Sequence, residues 1–331
     1  MYVDSRRVKV KDVLENWLKS RRLKPVAKRT FESYRKTCDL YLIPALGELP
    51  IASLTTKHIE DAMESWKSSR KDKRSGELSA TTIRYVVRML RMALTKAQND
   101  NLIIPNRAAT VTLPDATEFQ PSPLTVEQFV RLLHDAEGTD LWLPIIVLGL
   151  CGLRRGELLA LRWGDFDLEA QTVTVRRAVE VDRLEGYRLG FKVPKGKRDR
   201  TVAVPPIAME ELKTYAEAQK VRLRSAALSI IQTDETLVFD RDGEIWNPDA
   251  FGRQFVDLVA RSGIPRIRLH DLRHSYGAIL TGLGVSDRVR QAMLGHKTAA
   301  MTTHYSAVSL DLQKSAAASV DDAMRNALKA L

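Results

Sequence analysis

Residues 270–305 read HDLRHSYGAILTGLGVSDRVRQAMLGHKTAAMTTHY and hold four of the chain's six histidines, a central arginine and a closing tyrosine. Leu269, Leu272, Tyr276, Ile279 and Leu280 recur with helical period, which puts His270 and Arg273 one turn apart on a single helix face. Side chains so placed can converge on one oxygen-rich group. A second helix is expected from Ser286 to Leu294, with Val289 and Met293 inward, and Gly295 is the residue type that ends helices. His296 follows that stop directly, and Tyr305 lies nine residues further on. His270 and His274 also have the i, i+4 spacing of a zinc pair. The Glu of HExxH is missing, however, and no Cys or carboxylate set stands nearby, so no metal site is expected.

In order and spacing, HDLRH, LGH and the tyrosine resemble the C-terminal signature of the tyrosine recombinases, the phage integrase family. The resemblance implies an arginine in a TGLRxxE context over a hundred residues upstream. CGLRRGELLALRWGDFD, residues 151–167, supplies Arg154 there and Glu157 in the acidic position. It further implies a lysine in a hairpin turn before a strand of R-x-V type; FKVPKGKRDRTVAVP, residues 191–205, matches, with Lys195 as the candidate and Lys192 and Lys197 as its neighbours. The implied catalytic set is Arg154, Lys195, His270, Arg273, His296 and Tyr305, supported by Glu157, with neither metal nor cofactor. His274 and His304 read as structural. Ala307 stands where many of the family carry a histidine.

These residue types suit attack by a tyrosine on a phosphodiester. A phenol with a pKa of about 10 is a poor nucleophile at neutral pH. Two guanidiniums can hold the charge that develops on the nonbridging oxygens without losing their own. His270 would take the Tyr305 proton, His296 would hydrogen-bond the same oxygens, and Lys195 would protonate the departing 5′ oxygen. The arginines take the place of a Lewis-acid metal. The phosphotyrosyl bond conserves the energy of the broken link, so rejoining needs no nucleotide. The resemblance implies four protomers on two double-stranded DNA sites with inverted repeats, exchanging strands through a Holliday junction to integrate or excise a mobile element. An accessory bending or directionality factor is a further expected partner. A dimer resolvase of the same family, a type IB topoisomerase and a noncatalytic DNA-binding regulator are the alternative readings.

The formal charge of +11 is segregated: residues 1–110 hold 23 Lys and Arg against 12 Asp and Glu, and the remainder balances at 29 against 29. A polyanion-facing surface is therefore expected in the first third. Candidate DNA contacts are Arg70, Lys71, Lys73 and Arg74 in the basic loop SSRKDKRSGE, with Arg84 and Arg88 on the helix that follows. That third reads as helices, with inward faces Val10/Val13/Leu14/Trp17/Leu18, Phe31/Tyr34/Cys38/Tyr41 and Ile59/Met63/Trp66, then a stripe from Ile83 to Ala97. The second should open at Thr30 and close before Pro44. The arrangement resembles the family's core-binding bundle, with Asn106-Arg107 where Asn-Pro is usual. The small arm-binding domain that often precedes it has no room in these residues, so either a simple type or a chain trimmed ahead of residue 1 is expected.

Farther on, Thr125 and Gln128 form a capping box. Three strands, Gln171–Ala178, Tyr187–Val193 and Thr201–Val204, should make one antiparallel sheet whose hairpin turn displays Lys195. Asn247-Pro248 should start a helix. The expected fold is mainly α with a small antiparallel β-sheet: a helical core-binding domain over 1–110, a linker over 111–123, a mixed α+β catalytic domain over 124–308, and a tail over 309–331 that docks on a neighbouring protomer. Cys38 and Cys151 read as reduced structural thiols. No signal peptide opens the chain, and its longest apolar run, Leu141 to Leu153, contains a proline and is too short for a bilayer. A cytoplasmic, nucleoid-associated protein with no membrane partner is expected.

Overall fold

The computed structural model describes residues 7–23, 26–68, 78–103, 105–116, 123–183, 186–194, 199–225, 229–295 and 309–330. The chain divides into two compact units, residues 1–119 with 182–188, and residues 120–181 with 189–331.

In the first unit, α1 (Val10–Leu23) buries the expected face from Val10 to Leu18. The second helix departs from the sequence reading at both ends. It begins at Lys28 as α2 (Lys28–Thr37), with Ala27 rather than Thr30 at its N-terminus. It then continues through a π turn, Cys38–Leu42, into α3 (Ile43–Leu46), so Pro44 does not close it. Inside a regular helix a proline leaves a carbonyl without its donor. Here the π turn has already shifted the register, with the Ile43 N–H on the Cys38 carbonyl, and Pro44 falls on a first turn, where a missing N–H is tolerated.

Helix α4 (Thr56–Ser68) is capped by Thr55, whose Oγ1 accepts the His58 N–H at 3.2 Å. The longest, α5 (Ala80–Asn99), starts at Ser79 and buries the stripe from Ile83 to Ala97. Its C-terminal half is tied to the chain that follows. Asn106, 8% exposed, donates to the Arg91 carbonyl at 3.0 Å and accepts from the Ala108 N–H at 3.0 Å, while Arg91 donates to the Ala108 and Val111 carbonyls.

The second unit opens with α6 (Val126–Ala136), whose Thr125–Gln128 capping box forms reciprocally at 3.0 and 3.3 Å. Next is α7 (Trp142–Leu150), apolar all round and buried from Leu143 onward, and then one turn, α8 (Arg155–Leu158). Five strands follow: β1 (Phe166–Asp167), β2 (Thr172–Val175), β3 (Ala178–Asp182), β4 (Arg188–Lys192) and β5 (Arg200–Ala203). They do not form the single sheet expected. Among the described residues a three-stranded sheet runs β1-β2-β5, antiparallel throughout, with Thr172 opposite Ala203 and Val175 opposite Arg200, while β3 pairs with β4 alone.

The break between β2 and β3 has an electrostatic cause. Successive strand residues point to opposite faces. Arg176 and Arg177 nevertheless both reach Asp165, at 2.7 and 3.1 Å, which a continuous strand would not allow. Asp165 is 4% exposed, and the two guanidiniums offset the cost of burying its charge.

The remaining elements are α9 (Pro206–Leu223), a short hairpin of β6 (Asp240–Arg241) and β7 (Glu244–Ile245), α10 (Pro248–Arg261), α11 (Leu269–Gly282), α12 (Asp287–Leu294) and α13 (Leu310–Leu328). As expected, Asn247 caps α10, its Oδ1 accepting two backbone N–H groups. In the single chain, α13 lies on its own unit. Ala316, Ala317, Val320 and Met324 are buried in the shared core, Asp321 accepts the Ile207 N–H at the start of α9 at 2.6 Å, and Arg325 bridges Asp321 and Glu210. Leu312, on the first turn of the same helix, is by contrast exposed. No helix among the described residues is long and apolar enough to cross a membrane.

Candidate active site

Arg154 sits on the loop between α7 and α8, which passes close to α11 and α12 because residue 152 is glycine. Gly152 has φ +59°, and a Cβ there would stand 2.8 Å from the side chains of both Leu294 and Tyr276. Its carbonyl accepts an N–H from Arg273, whose other terminal nitrogen donates to the Leu294 carbonyl. One guanidinium, 3% exposed, therefore joins the Arg154 loop to the end of α12. Burial, and after it the charges of Arg154 and Arg200, push the Arg273 pKa down to about 9, against the pull of Glu157. It stays a cation at neutral pH.

Glu157, 1% exposed, is the counter-charge. Its Oε2 accepts the Arg154 backbone N–H at 2.9 Å, and its Oε1 accepts the Arg154 guanidinium at 2.8 Å. Arg200, first residue of β5, holds both oxygens, at 3.0 and 2.6 Å. Burial alone would raise this carboxyl. Hydrogen bonding and charge from Arg200, then from Arg154, outweigh burial and hold it at about 2.

His270 lies on the first turn of α11, exposed, with its ring 4.9 Å from that of His274 and nearly perpendicular to it. Burial of part of the ring, then the nearby His274, Arg273 and Arg154, lower its pKa below the ordinary 6.5. Of the expected set, Arg154, Glu157, His270 and Arg273 thus come together on one patch. His274, read as structural, lines the adjoining cleft with Arg273, Gly277, Asp287, Arg290 and Leu294.

Lys195, His296 and Tyr305 lie outside the described residues, as do Lys197, His304 and the candidate DNA contacts Arg70, Lys71, Lys73 and Arg74. Lys192, the alternative to Lys195, bonds Glu180 at 3.2 Å across the β3–β4 pair. Gly295 closes α12 at φ +61°, as its type predicts, and a Cβ on it would meet Arg200 Cδ at 2.7 Å. Arg84 and Arg88 are exposed one turn apart on α5, with Arg84 donating to the Pro114 carbonyl at 3.1 Å. Cys151 is buried, which pushes its thiol up to about 12, in keeping with a structural role. Sequence reasoning missed Arg200. It served only as a landmark in the R-x-V strand, although a buried Glu157 facing one arginine was a signal that a second cation was needed.

The profile of the phage integrase family matches residues 122–311, and that of the phage integrase N-terminal SAM-like domain matches residues 9–67. A XerC-like tyrosine recombinase of Caldanaerobacter subterraneus subsp. tengcongensis is 23% identical over 320 residues, 91% of this chain and 80% of its own length. The integrase of Mycobacterium phage L5 is 23% identical over 311 residues, 91% and 76% of the two chains. Among solved structures, the Tn1549 transposon integrase in complex with transposon right end DNA has a TM-score of 0.72 at 20% identity, covering 93% of this chain and 98% of that one. The lambda integrase tetramer bound to a Holliday junction has a TM-score of 0.65 at 17% identity, with 93% and 82% covered. These likenesses fix the fold as a helical core-binding domain with a mixed α+β catalytic domain. The first profile spans more than half of the sequence, from before Arg154 to beyond Tyr305, and on that ground the chain belongs to the phage integrase family, the tyrosine site-specific recombinases.

Proposed function

We propose that this recombinase integrates or excises a mobile element by cutting one strand at each of two inverted-repeat DNA sites through Tyr305. The cut leaves a 3′-phosphotyrosyl link and a free 5′ hydroxyl. Four protomers, arranged as in the lambda integrase tetramer, exchange strands through a Holliday junction in the bacterial cytoplasm. Arg154 and Arg273 hold the scissile phosphate, His296 adds a hydrogen bond to it, His270 accepts the Tyr305 proton, and Lys195 protonates the departing oxygen. Glu157 positions Arg154. The observation that carries this reading is the Arg273 guanidinium, which joins the Arg154 loop to the end of α12 two residues before His296. The loop cations Arg70, Lys71, Lys73 and Arg74, with Arg84 and Arg88, contact phosphates and position the DNA without reading its sequence.

The test is covalent capture. Nicked suicide duplexes from element ends and host DNA are incubated with the protein, which is then denatured and digested. A DNA-linked peptide containing Tyr305, joined at one 3′ phosphate within an inverted repeat, is the expected product. Adducts on another residue, or none on a duplex shown to bind, would overturn the reading. The XerC-like relative favours a dimer resolvase as the second reading, which the captured sequence separates by mapping to a host chromosomal site.

The pH profile tests His270. A base must be neutral to accept a proton, and a pKa lowered from 6.5 keeps His270 neutral further into acid. The acid limb of kcat/KM, which reports the free enzyme, is therefore expected below pH 6.5, and His270→Gln should remove that limb while slowing cleavage about 100-fold. A limb unchanged in the Gln variant would assign it to another group.

A further inference from the structure

We infer that Arg200 is a positioning residue of the cleavage site, one that occupies both oxygens of Glu157 and so keeps the guanidinium of Arg154 available to the scissile phosphate. The inference rests on the proposed role of Arg154. It starts from a sharing problem. Glu157 is almost wholly buried and has two guanidiniums within reach. Arg200 takes it at two points, 3.0 and 2.6 Å, in the two-pronged geometry that suits a carboxylate, whereas the Arg154 guanidinium reaches it through Nη1 alone at 2.8 Å, beside the backbone N–H of the same residue at 2.9 Å. The other guanidinium N–H groups of Arg154 make no hydrogen bond among the described residues.

Remove Arg200, and the geometry changes in a defined way. A buried carboxylate cannot stay half-compensated, and among the described residues the cation still hydrogen-bonded to it is Arg154, which would turn both prongs inward. The site would lose twice: one positive charge of the three supplied by Arg154, Arg200 and Arg273, and the orientation of a phosphate ligand.

A second observation ties Arg200 to the rest of the site. Its stem packs on Gly295, so closely that a Cβ there would stand 2.7 Å from Cδ and 2.8 Å from Nε. Gly295 ends α12, directly after Leu294, whose carbonyl receives Arg273, and directly before His296. The buried Nε–H of Arg200 has no acceptor among the described residues and faces this turn. Arg200 is therefore in contact with one end of the α12 stop and with the Glu157 hub at once. It also begins β5, five residues after Lys195 in sequence.

The experiment is a double-variant cycle on the suicide duplex, read as the rate of Tyr305 adduct formation together with DNA Kd. Arg200→Met keeps the aliphatic stem against Gly295 and should slow the adduct by about 10- to 100-fold with Kd within about threefold, since misplacement rather than lost binding is the defect. Adding Glu157→Gln removes the charge that captures Arg154 and should restore the rate at least about tenfold over Arg200→Met alone. A residue that touched substrate would show no such recovery, and one that merely held the fold would lose DNA affinity along with the rate. Arg200→Lys keeps the charge without the two-point hold, should fall between Met and wild type, and decides the matter if the Met variant does not fold. An unslowed Arg200→Met, or a double variant no faster than the single, overturns the inference while leaving the Tyr305 reading intact. A wild-type chain that forms no adduct removes that reading and this inference together.

Discussion

Tyr305→Phe is expected to abolish the covalent protein–DNA adduct, a loss of about 10⁴-fold or more in cleavage, with DNA affinity held within about threefold. The substitution deletes one oxygen. Affinity for duplex DNA comes mainly from phosphate contacts by lysine and arginine, and this chain carries its whole positive excess in the first 110 residues, far from position 305 in sequence. Nor can another hydroxyl in the core of the catalytic unit take over. Tyr276 is the nearest along the chain, but it is 1% exposed on the inner face of α11, and burial, with Cys151 beside it, raises its pKa well above that of a free phenol. Tyr215 on α9 is also raised, by burial and by Asp240. A phenol pushed upward is a poorer source of phenolate than one surrounded by cations. The variant should therefore bind its site, protect it and leave it uncut on a denaturing gel. Residual adduct above background in Tyr305→Phe would mean that a different residue is the nucleophile, and the assignment would fail.

Much of this architecture was legible along the chain because it depends on neighbours in sequence. Helical faces such as Val10 to Leu18 and Ile83 to Ala97, the caps at Thr125 and Asn247, and the stop at Gly295 each follow from residues within a turn or two of one another. Arg154, Glu157, His270 and Arg273 were found from motif order, and they do share one patch. The failures have a different origin. Arg200 and Glu157 are 43 residues apart, and the Asp321 carboxylate that seats α13 lies 114 residues from the Ile207 N–H it accepts. No local period encodes such pairings. The split between β2 and β3 belongs to the same class: alternation through Gln171–Ala178 reads as one strand until Asp165 draws both Arg176 and Arg177 to one side. Pro44 failed differently. The rule that proline ends a helix assumes α register, and the π turn ahead of it had already altered that register.

The same polar centre predicts that Arg273→Met will separate catalysis from stability. Cleavage should fall by about 10³-fold, the magnitude typical when a buried donor to a developing oxyanion is removed. The melting temperature, by contrast, should move by no more than about 4 °C. The reason is a near balance at the guanidinium. In the resting protein it donates to the Gly152 and Leu294 carbonyls, and charged hydrogen bonds of this kind contribute about 1.5–3 kcal/mol each. Against this stand the burial of a cation that is 3% exposed and its repulsion by Arg154 and Arg200, the influences that depress its pKa to about 9. A methionine of similar length fills the space between the 151–154 loop and α12, relieves the repulsion and leaves two carbonyls to find other donors. Glu157 offsets only part of the mutual repulsion of Arg154, Arg200 and Arg273, and a bound phosphate would offset more of it. Substrate binding should therefore stabilise the wild-type protein more than the Met variant, and the difference in melting temperature with and without target duplex measures this directly. A fall of more than about 10 °C in the free variant, or cleavage within about tenfold of wild type, would make Arg273 a structural pin rather than a phosphate ligand.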